Sequence, residues 1–105
     1  MKSLIGTRKY KSGFVYYGEW NNDTRNVWGI FENKNTGYRY IGNWKQDRKH
    51  GFGREETLVT IYEGEFFQDK KEGFGVLIKD GIRSEINWKS DKMHGEGKSI
   101  HPDGT

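Results

Sequence analysis

Large aromatic residues and glycine recur along this chain at alternate positions, in short bursts separated by polar turns. Tyr40-Ile41-Gly42-Asn43-Trp44 puts Tyr40, Gly42 and Trp44 on one side of an extended segment, and Tyr62-Glu63-Gly64-Glu65-Phe66 repeats the form 22 residues later. Alternation of period two predicts strands. Tyr16-Tyr17-Gly18-Glu19-Trp20 has the same form 24 residues before Tyr40, and Ser84-Glu85-Ile86-Asn87-Trp88 follows Tyr62 by 22, keeping only the tryptophan. Each copy continues in register through Asp23, Asp47, Asp69 or Asp91. It then reaches Asn26-Val27-Trp28-Gly29, His50-Gly51-Phe52-Gly53, Glu72-Gly73-Phe74-Gly75 or His94-Gly95-Glu96-Gly97.

Each unit therefore predicts one β-hairpin. The polar pairs Asn22-Asp23, Gln46-Asp47, Gln68-Asp69 and Ser90-Asp91 form the tips, with side chains that cap turns. Asn35-Thr36-Gly37 and Lys79-Asp80-Gly81 lead to the next unit, whereas Glu55–Val59 joins two units without glycine. Glycines facing the rings leave room for a neighbouring unit's Tyr or Trp against bare backbone. Two strands per unit at about 4.8 Å predict roughly 10 Å per repeat and an array about 40 Å long.

Composition changes the picture in one respect. The chain has 105 residues, 31% hydrophobic and 31% charged, with a mean hydropathy of -1.05, which alone would suggest disorder. Aromatics at 15% and 15 glycines against one proline argue instead for short strands whose rings supply the buried area. An array in which each unit packs only on its neighbours needs no deep core. Cysteine is absent, which excludes disulfides, thiolate metal sites and thiol catalysis. The absence of cysteine, of an apolar span and of a leader-like stretch in residues 1–17 favours a cytoplasmic setting. A net charge of +3 is only mildly basic.

Tyr-x-Gly-x-Trp followed by His-Gly-x-Gly, clearest over residues 40–53, closely resembles the MORN (membrane occupation and recognition nexus) repeat. The resemblance covers about residues 10–105. Asp stands where the family's turn glycine usually follows the tryptophan. Val27 replaces a signature glycine in the first copy, and Ser84 and Ile86 replace the tyrosine and glycine of the last. The resemblance implies an all-β fold: an elongated, solenoid-like single-layer array of antiparallel hairpins with about four repeats. The expected division is a degenerate leading hairpin (1–15) and repeats over 16–39, 40–61, 62–83 and 84–105. Tyr16, Gly18, Trp20, Gly29, Tyr40, Gly42, Trp44, Gly51, Gly53, Tyr62, Gly64, Phe66, Gly73, Gly75, Trp88, Gly95 and Gly97 are the expected structural anchors. The resemblance also implies an interaction module without cofactor. Such modules occur in cytoskeletal, ciliary or membrane-junction assemblies, some proposed to bind phosphoinositides and others holding a partner helix.

Two surfaces are candidates for partner binding. Trp28, Phe52 and Phe74, with Glu96 as the fourth rung, form a ladder facing away from the packing rings. They could line a groove for an amphipathic helix or a neighbouring subunit of an assembly, or be buried as core. Arg25, Arg48, Lys49, Lys70, Lys71 and Lys92, flanked by Lys45 and Lys89, predict a basic ridge that could meet acidic phospholipid. Ordinary solvated turns are the competing reading, since Asp47, Asp69 and Asp91 partly neutralise the ridge. Nucleic-acid binding is a minor reading because acidic residues nearly balance basic ones. His50 and His94 share a repeat position about 20 Å apart, too far to share a metal, and His101 lies in the terminal turn. Glu19, Glu63, Glu65 and Glu85 lie on strands without a pocket to separate their pKa values, so no enzyme activity is expected. Pro102-Asp103-Gly104 predicts a turn with no returning strand, hence an open sheet edge completed by further chain or by a partner.

Overall fold

The computed structural model describes residues 4–95 and 97–100, the last without its side chain. The expected Glu96 rung, His101 and the Pro102–Gly104 turn lie outside the described residues. Among the described residues, ten strands form one antiparallel sheet: β1 (Leu4–Lys9), β2 (Val15–Asn21), β3 (Thr24–Asn33), β4 (Tyr38–Lys45), β5 (Arg48–Glu56), β6 (Thr60–Phe67), β7 (Lys70–Lys79), β8 (Ile82–Lys89), β9 (Lys92–Met93) and β10 (Lys98–Ile100). Neighbours in sequence are neighbours in space from β1 to β8. The short β9 and β10 both pair with β8. The array measures 47 × 28 × 19 Å, in keeping with about 10 Å per hairpin.

One face, the ring face, carries the core. Tyr16 and Tyr40 are 0% exposed and Tyr62 1%, although no second layer covers the sheet. Each tyrosine lies flat on the glycine pair of its own hairpin: Gly18 opposite Gly29, Gly42 opposite Gly53, Gly64 opposite Gly75. A Cβ on Gly29, Gly53 or Gly75 would collide with the ring. The glycines thus make room for their own repeat's tyrosine rather than a neighbour's. The hydroxyls donate to carbonyls three residues on, from Tyr16 to Glu19 (2.9 Å), Tyr40 to Asn43 (2.8 Å) and Tyr62 to Glu65 (3.1 Å).

Those carbonyls sit at a bulge repeated in the first three copies. Between the pairs Gly18–Gly29 and Trp20–Arg25, β2 has one residue and β3 three. The return strand absorbs the excess with one residue in the left-handed region: Val27 (φ 71), Gly51 (φ 92), Gly73 (φ 77) or Gly95 (φ 75). Past the bulge, the closing aromatic of the motif swings over tyrosines: Trp44 meets Tyr16 and Tyr40, Phe66 meets Tyr40 and Tyr62, and Trp20 and Trp88 at the ends meet one each. Trp20, Tyr16, Trp44, Tyr40, Phe66, Tyr62 and Trp88 form an unbroken edge-to-face zigzag, with centroids 4.8 to 5.8 Å apart. Each contact is worth about 0.5–1.5 kcal/mol beyond area burial. The indole N–H of Trp44 donates to Gly29 O (3.1 Å), tying one hairpin to the previous one.

The fourth repeat shows the rule by its exception. Ser84 brings no ring, so glycine is not needed at position 86, and Ile86 fills the vacated space at 7% exposure.

Both tip residues of Asn22-Asp23, Gln46-Asp47, Gln68-Asp69 and Ser90-Asp91 have positive φ, as does Asp80-Gly81. These are type I′ turns, whose twist matches the flanking strands. The glycine-free junction closes through Thr57, whose amide donates to Thr60 O (2.9 Å) and whose hydroxyl accepts from the Thr60 amide (3.0 Å).

Val27 holds a conformation that costs a β-branched residue about 1–2 kcal/mol, and half of its surface is exposed. Val27→Gly is therefore expected to raise unfolding free energy by about 1 kcal/mol in urea titration. A loss of stability would mean that the Val27 side chain contributes more than its backbone costs.

Candidate interaction surface

Successive basic residues at the hairpin tips fall on opposite faces, as strand alternation requires. Arg25, Lys49 and Lys71 oppose Trp20, Trp44 and Phe66 in register and so lie on the ring face. Arg25 sits 4.7 Å from the Trp44 ring centre and 4.9 Å from that of Phe31. Lys49 lies 5.3 to 5.6 Å from Phe66, Tyr40 and Tyr38, and Lys71 lies 5.3 and 5.4 Å from Tyr62 and Trp88. Their stems and charges cap the aromatic rings, Lys49 and Lys71 covering Tyr40 and Tyr62 directly, which helps a single-layer sheet hide whole rings. Arg48, Lys70 and Lys92, one residue earlier, point to the opposite, back face. The basic residues therefore do not share one ridge: three are structural caps and three are exposed, with Lys45 and Lys89 beside them.

The turn aspartates do not face these exposed cations. The Asp47 carboxylate accepts from the Arg25 amide (2.7 Å) and Nε (3.2 Å), while the Asp47 amide donates to Arg25 O (3.0 Å). Asp69 bonds Lys49 in the same two-way fashion (2.8 and 2.9 Å), and Asp91 bonds Lys71 (2.7 and 3.0 Å). Each carboxylate thus latches a tip to the hairpin before it. This gives the aspartate a role that a turn glycine could not fill.

Glu55 is the charged residue that sequence reading missed. Phe31, Glu55 and Leu77 occupy one position of the repeat, and comparing copies at that position would have singled out the carboxylate. It bonds Lys49 Nζ (2.7 Å) and the Tyr38 hydroxyl (2.6 Å), with Lys71 Nζ at 3.7 Å. Burial pushes the carboxyl up, but Lys49, the two hydrogen bonds and Lys71 outweigh it and hold it below the ordinary value. Burial, followed by the bond to Glu55, pushes the Tyr38 hydroxyl up. Phe14, Phe31 and Tyr38 stack beside this cluster and line a hollow of about 330 Å³ with Arg25 and Lys49.

The back face holds the other large rings. Trp28, Phe52 and Phe74 are 41%, 59% and 51% exposed, opposite Asn43, Glu65 and Asn87. They are outside the packed core, and Tyr17 and Phe67 are exposed on the same face. Glu63 pairs with Arg54 and Glu85 with Arg83, while Glu65 accepts from the Phe74 amide (3.2 Å). Among the described residues no group of three His, Asp or Glu side chains is placed to hold a metal ion. No helix there is long and apolar enough to cross a membrane.

This geometry defines a class: a single-layer, antiparallel β-hairpin repeat array whose rings pack on paired glycines. The MORN repeat family model matches four times, at residues 16–35, 40–56, 62–83 and 87–105. The chain belongs to the MORN-repeat family, whose repeats are generally protein- or membrane-interaction modules. No curated protein matches it.

Because the folded Glu55 carboxyl titrates below its ordinary value of 4.5, its ion pairs contribute in full above that pH. They are lost as pH falls beneath it through the folded value. Denaturant midpoints taken through this range should fall for the wild type. Glu55→Gln should start lower at neutral pH and vary less. An equally steep profile in the variant would place the acid sensitivity in another group.

Proposed function

We propose that this chain is a non-catalytic scaffold that binds a protein partner through its back face, as a cytoplasmic component of a cytoskeletal, ciliary or other large assembly. The observation that carries this reading is the exposure of Trp28, Phe52 and Phe74 on a face with no packing duty. Three rings about 10 Å apart match the reach of an amphipathic helix laid across the strands. The ring face supports the reading by contrast, since its own cations already cover its aromatics.

The test is a triple substitution, Trp28→Ser with Phe52→Ser and Phe74→Ser. It should abolish specific crosslinks in the native assembly, read by crosslinking mass spectrometry, and change the midpoint of thermal unfolding little. Collapse of stability would assign the rings to the core instead.

A second reading, binding of acidic phospholipid, draws on Arg48, Lys70 and Lys92, which form no ion pair among the described residues. It requires co-sedimentation with vesicles that rises with anionic lipid and disappears in Arg48→Glu with Lys70→Glu. It does not need Lys49 or Lys71, which are engaged on the ring face.

A further inference from the structure

The tips of the second and third hairpins enclose a cavity of about 710 Å³, lined by Lys45, Gln46, Arg48, His50, Phe67 and Gln68. Its position, between two consecutive type I′ turns, recurs in the next repeat, where the contents differ. There Glu72 stands at the position of His50, and its carboxylate accepts from the amide of Ser90, the first tip residue of the following hairpin (2.9 Å). The array thus places a carboxylate on a tip amide, drawn from its own sequence, in one repeat. In the repeat before, His50 cannot supply it, and the amide of Gln68 occupies the place of the Ser90 amide.

The surrounding charge points the same way. Lys45 and Arg48 are direct cross-strand partners, an arrangement of like charges that disfavours the hairpin unless an anion lies between or above them. Neither forms an ion pair among the described residues. The carboxylates of the two flanking tips, Asp47 and Asp69, are held by the backbones of Arg25 and Lys49. His50 rests against the Phe67 ring, 5.2 Å between centroids, which leaves the cavity with an apolar wall beside its basic ones.

We infer that this cavity takes an acidic side chain from an acidic segment of a protein partner. One carboxylate occupies the Gln68 amide as Glu72 occupies that of Ser90, and neighbouring acidic residues meet Lys45 and Arg48. The inference rests on the protein-partner reading only for the source of the segment, and it adds an ionic anchor on the face that carries the exposed rings.

Hexaglutamate peptide is a suitable probe, titrated into ¹⁵N-labelled protein to about 10 mM, a range that captures weak single-site binding. A saturable shift of the Gln68 amide and the His50 ring is expected. His50→Glu should plug the cavity as Glu72 does next door. It should weaken binding by at least about tenfold (1.4 kcal/mol) while the spectrum stays dispersed. Arg48→Gln should weaken it also, which keeps the test valid if the first variant folds poorly. Lys34→Glu makes a charge change at least as large away from the cavity and should bind as wild type. Several results would overturn the inference: no saturable shift, His50→Glu binding like wild type, or Lys34→Glu losing as much. So would protein that ignores the peptide yet binds phosphatidylserine-containing phosphatidylcholine vesicles through Arg48, because the occupant is then a membrane. The triple ring variant leaves the cavity intact. Peptide binding that survives in it, or that fails in the wild type, separates this inference from the ring-based one.

Discussion

A tyrosine ring lying flat on two paired glycines is the contact from which the rest of this molecule follows. The ring can reach the backbone only where neither strand carries a Cβ, so two glycines must face each other across the hairpin. Its hydroxyl then finds a carbonyl three residues on, and the strand pair bulges there. The bulge calls for a left-handed residue on the return strand. It also turns the closing aromatic of the motif over the tyrosines, two at once for Trp44 and Phe66. Sequence positions that look independent are thus one mechanical unit, and the last repeat, having lost its tyrosine, has also lost the need for glycine at position 86.

A layer of rings on one side of a sheet still needs covering, and this chain covers it with cations. Arg25, Lys49 and Lys71 lay aliphatic stems and charge over the aromatic faces, while Glu55 pairs with Lys49 and lies within reach of Lys71. The same alternation sends Arg48, Lys70 and Lys92 to the other side. The turn aspartates, latched to the preceding hairpin, contribute order along the array rather than charge to its surface. The two faces consequently have different work: the ring face holds the array together, and the back face presents exposed rings beside exposed cations.

Position along the array matters as much as face. Because repeats are stacked in register, one substitution at a fixed position makes a local feature without disturbing its neighbours. Glu55 in a row with Phe31 and Leu77 buries an ion cluster in the middle repeats. His50 in place of Glu72 opens a basic cavity at one pair of tips. Variation between repeats carries the individuality of the chain, and identity between them carries the fold.

The sequence by itself determined the repeat length, the strands, the family and the anchors, because period-two alternation and paired glycines are local constraints that leave a mark at fixed spacing. It pointed Trp28, Phe52 and Phe74 away from the packing rings by alternation but left open whether they line a groove or join the core. It did not separate the cations at adjacent positions, such as Arg48 from Lys49, because a run of basic residues reads alike whichever face each one takes. Nor did it show that Asp47, Asp69 and Asp91 bond the hairpin before them, or that Glu55 meets Tyr38, Lys49 and Lys71. The aspartate contacts and the approach of Lys71 to Glu55 join residues brought together only when one hairpin stacks on the next, while Tyr38, Lys49 and Glu55 meet only once β4 and β5 pair in register; both are properties of the tertiary structure.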